Sequence, residues 1–259
     1  MSAIPAPVVQ PDDIRDEAER LADMLPASGL RLKLMGGLAI WLQSQTVRSG
    51  PYAREYRDLD LVAASRDRKP VGAFLESIGY VPDRLFNALH GAQRLVFAAS
   101  HGGWSVDVIF DELNMSHRID LRDRLNGTSP TLELADLLMT KLQVWQVNEK
   151  DLGDAACLLA DHRLAAASEA PGEPVFDLAR IRALISADWG LCHTTEGNLA
   201  KVAELWARQP VVGVPFDVGR QVEVLQGEIE AAPKSIAWRT RARIGERVRW
   251  YETPEEVRK

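Results

Sequence analysis

Apolar and polar positions first become periodic at residues 12–25. There Ile14, Ala18, Leu21, Ala22 and Leu25 recur on one helical face behind an Asp12 or Asp13 cap. Pro26 and Gly29 end that helix. Residues 30–35 (LRLKLM) read as a strand, Gly36 and Gly37 as a turn, and 38–45 as a short apolar helix. A polar loop (RSGPYAREY) leads into residues 57–63, which alternate with Leu59 and Leu61 on one face and Asp58, Asp60 and Val62 on the other. Residues 70–78 are helical and end at Gly79. Two more strands, 94–98 (RLVFA) and 104–110 (WSVDVIF), are joined by a hairpin-like SHGG. In the second of them, Ser105, Asp107 and Ile109 face away from Val106, Val108 and Phe110.

After Asn126-Gly127 the pattern becomes helical, with helices predicted over 131–146, 150–161, 177–186, 196–207 and 218–230. Breaks fall near Gly190, Pro210 and Pro215, and SEAPGEP reads as a loop or linker. Residues 1–10 read as a Pro-rich, unstructured lead. The segment from Pro233 to Val257 reads as a basic, tryptophan-bearing helix with a polar tail. The expected fold class is therefore α+β: a mixed β-sheet with flanking helices in a domain over 1–127, then a mainly helical C-terminal region over 128–259.

Composition narrows the function. The 259 residues carry 31 Lys and Arg against 37 Asp and Glu, a net charge of -6, which argues against wholesale coating of nucleic acid but leaves room for a local basic patch. Cys157 and Cys192 lie far apart with no metal-ligand spacing, so neither a disulfide framework nor a zinc site is expected, and a reduced cytosolic setting is. The first twenty residues hold no apolar signal-like stretch and no apolar run approaches membrane-spanning length, so a soluble intracellular protein is expected.

Chemistry concentrates in Gly36, Gly37, Asp58, Asp60 and Asp107. Two aspartates at i, i+2 share a strand face, and a carboxylate inside an otherwise apolar strand requires a metal, a cation or a hydrogen-bond network. Carboxylates grouped in this way suit Mg²⁺ or Mn²⁺ together with phosphate oxygens. The glycines clear side chains from a place where a triphosphate must approach, in front of helix N–H groups. A pair of metal ions held by Asp58, Asp60 and Asp107 would activate a hydroxyl and stabilise departing pyrophosphate.

Three segments, LMGGLAIWL, YRDLDLV and WSVDVIF, resemble the nucleotidyltransferase superfamily that includes polymerase β-like and aminoglycoside-modifying enzymes. The chain is more closely similar to the minimal nucleotidyltransferases related to abortive-infection, type IV toxin–antitoxin toxins. LADLLMTKLQVWQVNEKDLGDAACLL resembles their helical motif and places Lys141, Lys150, Asp151 and Asp154. The resemblance covers residues 31–162 and implies a nucleotidyltransferase-like sheet. It also implies ATP or another NTP as co-substrate and transfer of a nucleoside monophosphate to a hydroxyl of RNA, protein or a small molecule. Asp58, Asp60 and Asp107 would be both catalytic and metal-binding; Gly36, Gly37, Lys141, Asp151 and Asp154 would bind the nucleotide. Gly37 stands where many superfamily members carry a phosphate-binding serine. An antitoxin protein is an implied partner, and the competing reading is a non-catalytic nucleotide-binding or protein-interaction module.

Supporting residues have two readings each. Lys141 is a charge on an apolar helix that reaches phosphate or snorkels to solvent. Asp151 and Asp154 share a helix face and orient Lys141 or Arg57, or else lie on a solvated face. Arg57, His117, Asp111 and Glu112 are secondary candidates. Lys234, Arg239, Arg241, Arg243, Arg247 and Arg249 mix with Trp238, Trp250 and Tyr251, which reads either as a surface for tRNA or as an amphipathic packing helix.

Overall fold

The structure, a computed structural model, describes residues 11–166 and 172–253. The lead over 1–10, much of the SEAPGEP linker and the end of the polar tail lie outside the described residues. The chain divides into two compact units. The first holds the described residues up to Leu42, Glu55–Glu112 and Asp120–Leu132; the second holds Gln43–Arg54, Leu113–Ile119 and those from Glu133 onward.

The first unit is built on a five-stranded mixed sheet. Its strands are β1 (Leu32–Met35), β2 (Asp58–Ala63), β3 (Val81–Pro82), β4 (Arg94–Ala98) and β5 (Ser105–Phe110), in the order β1-β2-β5-β4-β3. β2 and β5 run parallel, and the other neighbours are antiparallel. Alternation sorts the side chains. Leu34, Leu59, Leu61, Val106, Val108, Leu95 and Phe97 share one face and are buried. Lys33, Met35, Asp58, Asp60, Ser105, Asp107, Arg94 and Val96 share the other.

Helix α1 (Ile14–Met24) packs against β2 and buries Ile14, Ala18 and Leu21, of which Ile14 and Leu21 are each worth about 1.5–3 kcal/mol. Its start is the Asp13 cap, which accepts from Arg15 N at 2.8 Å. Glu17, on the same buried side, pairs with Arg20 at 2.6 Å and accepts from the Tyr80 hydroxyl. Helix α2 (Gly36–Gln43) begins two residues earlier than the apolar pattern predicts, because Gly36 itself makes the reversal out of β1 at φ +69°. Helix α3 (Arg68–Ser77) follows β2, buries Val71 and Leu75, and stops at the predicted Gly79 turn.

Among the elements not anticipated are the two-residue strand β3 and two further features. Helix α4 (Arg84–His90) is capped by Asp83 and leaves Leu85 and Leu89 exposed, so its apolar residues carry no burial pattern. Residues 130–132 run beside β1, with Leu34 N donating to Pro130 O at 2.7 Å and Leu132 N to Leu34 O at 2.9 Å. That pairing delays the helix expected from 131.

The second unit is mainly helical: α5 (Leu134–Leu142), α6 (Glu149–Asp161), α7 (Leu178–Ala187), α8 (Trp189–Arg208), α9 (Val218–Ala231) and α10 (Ile236–Ile244). α5 is buried all round except at Lys141 and packs on α6, α7 and α8, which makes it the central helix. Asp136, fully buried on α5, is held by Arg180 of α7 at 2.7 Å. Gly190 does not break α8: it lies in the first turn, where a Cβ would strike the Trp250 carbonyl oxygen at 2.6 Å. α10 is shorter than predicted because Gly245, at φ +58°, ends it. The α+β class, with a mixed sheet and a helical C-terminal region, is as the sequence predicts.

Candidate metal–nucleotide site

The polar face of the sheet in the first unit gathers the predicted aspartates. Asp60 and Asp107 are register partners on the parallel strands β2 and β5, while Asp58 stands opposite Ser105 two residues back on the same face. Asp60 also pairs with Met35 at the end of β1, which delivers the chain directly into Gly36. A Cβ on residue 36 would come within 2.1 Å of Asp60 Oδ2, so the carboxylate is seated in the space the glycine leaves. Gly37 follows in the first turn of α2. Asp58 is exposed, whereas Asp60 and Asp107 are half-buried.

Asp107 has a cation of its own. Arg94 Nε and Nη2 donate to its two oxygens, forming a side-on ion pair. The pair raises the Arg94 pKa above its ordinary value, chiefly through the hydrogen bonds to Asp107 and with a further contribution from the Asp60 charge. The Arg94 guanidinium also lies 5.8 Å from the centroid of the Phe86 ring on α4. Sequence reasoning missed Arg94. The available signal was its parity: it alternates with Leu95 and Phe97, so it shares the polar face with Asp107.

A hard divalent cation asks for oxygen donors. Carboxylate oxygens are the right donors, and the Gly36 cradle admits a close approach to Asp60. Among the described residues, no three His, Cys, Asp or Glu side chains converge closely enough to hold an ion by themselves. Mg²⁺ is ordinarily held by one or two carboxylates plus substrate phosphates, and Asp58 with Asp60 fits that description.

Asp111, the residue after β5, has a different task. At φ +64°, it accepts from Ser65 N through Oδ1 at 2.9 Å, tying the end of β5 to the chain after β2. Arg57 is exposed, and its carbonyl accepts from Ser105 N at 3.3 Å. His90 and His101 are exposed.

In the second unit, Lys141 Nζ lies 2.5 Å from Asp151 and 3.0 Å from Asp154, both on α6. Arg54 Nη2 reaches the same Asp154 oxygen at 2.8 Å, and Asn148 caps α6 by accepting from Asp151 N. Burial disfavours the Lys141 charge, but the two aspartates outweigh it and raise the pKa. Asp151 and Asp154 therefore orient Lys141, with Arg54 as a partner not anticipated from sequence. Lys150 is exposed.

His117 is buried, with Nε2 2.8 Å from Thr194 Oγ1 and its backbone N–H donating to Gln143 Oε1 at 2.9 Å. The C-terminal aromatics pack inside this unit. Trp250 meets Trp145 edge-on at 4.5 Å and donates to Thr194 Oγ1 at 3.2 Å, and Trp238 Nε1 donates to Ile185 O at 3.0 Å. Arg241 covers Trp189 at 4.6 Å, while Arg239, Arg243, Arg247 and Arg249 are exposed.

No protein-family model matches the chain, and no curated protein matches it. Among solved structures, it is similar to a lincosamide antibiotic adenylyltransferase in its lincomycin-bound form. That match has 16% identity, covers 55% of this chain and 94% of the other, and has a TM-score of 0.39. Among the described residues, no helix is long and apolar enough to cross a membrane.

Proposed function

We propose that the first unit is a metal–nucleotide centre for nucleotidyl transfer. The observation that carries this reading is the placement of Asp60 beside Asp107 on adjoining parallel strands, with Asp58 on the same face and Asp60 seated against Gly36. Asp58 and Asp60 would hold Mg²⁺ or Mn²⁺, which when bound supplies Lewis-acid polarisation of the phosphate and charge neutralisation. Gly36 and Gly37 keep the approach to the Asp60 carboxylate open, and the start of α2 adds N–H groups to phosphate binding. In the reaction, an acceptor hydroxyl oxygen bonds to the α-phosphorus of an NTP as the bond to the bridging oxygen breaks. Pyrophosphate leaves with that electron pair, and the hydroxyl proton passes to a carboxylate or to solvent. The acceptor is a hydroxyl of RNA, protein or a small molecule.

Incubation with each α-labelled NTP, Mn²⁺ or Mg²⁺, and fractionated RNA, protein and metabolites tests the proposal. Label transfer that falls at least roughly a hundredfold in Asp58→Asn and Asp60→Asn supports it. Absence of both NTP affinity and label transfer would sink it.

A second reading is favoured by the Arg94–Asp107 pair: a binding module in which a guanidinium has neutralised one carboxylate. Nucleotide binding by the wild type without label transfer to any fraction would select it.

A further inference from the structure

Resting on the metal–nucleotide reading above, the surroundings of Arg94 say how many metal ions the centre takes. Arg94 reaches Asp107 diagonally, one pair along from the Val96–Asp107 register partners, and engages both carboxylate oxygens at once. A bidentate guanidinium fixes the plane of a carboxylate as well as balancing its charge. Phe86 provides a ring for the guanidinium on α4. The next residue, Asn87, clamps α4 to β4 by accepting from Val96 N at 2.8 Å and donating to Val96 O at 3.0 Å. The strand that carries Arg94 therefore also carries its aromatic support, and the Asp107 side chain is only 19% exposed.

A second divalent ion on Asp107 would have to share that carboxylate with the guanidinium, and two cations at contact distance repel one another strongly. We propose that Arg94 stands in place of a second metal ion, so that the centre binds a single divalent cation while Arg94 holds Asp107 in position. Arg94 acts here as a positioning residue.

Counting bound Mn²⁺ per chain by electron paramagnetic resonance, with Mn²⁺ and a non-hydrolysable ATP analogue supplied together to the full chain, tests this without any turnover. The expected result is one ion per wild-type chain and one in Arg94→Lys, which keeps a cation. Arg94→Ala should bind a second ion whose signal is broadened by the first, since paired ions lie about 3.5–4 Å apart. The double variant Arg94→Ala/Asp107→Asn should return to one, and melting curves confirm that each variant is folded. Two ions in the wild type would overturn this inference alone, as would a single ion in Arg94→Ala. No bound ion in either protein would overturn the metal–nucleotide reading and this inference with it.

Discussion

Asp60 occupies the space in which residue 36 would carry a Cβ, at 2.1 Å from Oδ2. Glycine at that position serves backbone and site together, since its φ of +69° is itself a left-handed conformation. Gly36→Ala should therefore cost about 2–4 kcal/mol, combining left-handed strain with the displacement of Asp60. Urea denaturation measures the first effect, and Mn²⁺ affinity, which should fall alongside it, measures the second. An alanine variant of wild-type stability would show that β1 and β2 relax around the added methyl.

Lys141→Met should destabilise the second unit by about 2–4 kcal/mol, because Asp154, 1% exposed, would keep Arg54 alone as a cationic partner. Its other oxygen, Oδ1, is buried without a hydrogen-bond partner, so nothing else compensates. Nucleotide affinity, read by calorimetry on the same variant, separates the two roles of this lysine. A loss of stability with unchanged affinity assigns Lys141 to packing, and a loss of both assigns it to phosphate as well.

Burial lowers the His117 pKa below its ordinary value of 6.5, with Asp188 acting weakly in the other direction. The unfolded chain then takes up that proton before the folded one does. The contribution of neutral His117 to stability is full above pH 6.5 and declines as the pH falls toward the lowered folded value. The slope approaches at most about 1.4 kcal/mol per pH unit for one proton. Urea midpoints compared at pH 7.5 and 5 should show the decline in the wild type and a smaller one in His117→Gln.

Burial pushes the Cys192 thiol up to about 11 and the Cys157 thiol higher still. Neither should react with iodoacetamide in the folded protein near pH 8, and both should react once it is unfolded. Labelling of either at the rate of a simple thiol would place it in a locally opened segment.

The sheet was legible where alternation is strict. Leu59 and Leu61 against Asp58 and Asp60, and Val106 and Val108 against Asp107, fix which side chains look into the site. The Arg94–Asp107 pair was not legible, because it depends on a register that residues 99–104 set and no local pattern reveals. Helix α4 escaped for a different reason: its leucines are exposed, so hydrophobic periodicity gave no warning of it. In the second unit, Asp151 and Asp154 were correctly placed on one face, but Arg54 comes from a loop about a hundred residues away and carries no sequence signal. The basic C-terminal segment read as one long helix because Gly245 interrupts it only through its backbone conformation.

The one-to-one pairing of Asp60 with Asp107 has a consequence for how this protein fails. In a sheet with period two, sliding β2 or β5 by one residue turns all of that strand's carboxylates into the apolar layer and its core-facing apolar side chains outward. The chain thus has no soft route to a slightly misassembled centre. A molecule in which these strands are mispaired has also lost its interior, so damaged copies should betray themselves by unfolding rather than persist as inactive look-alikes.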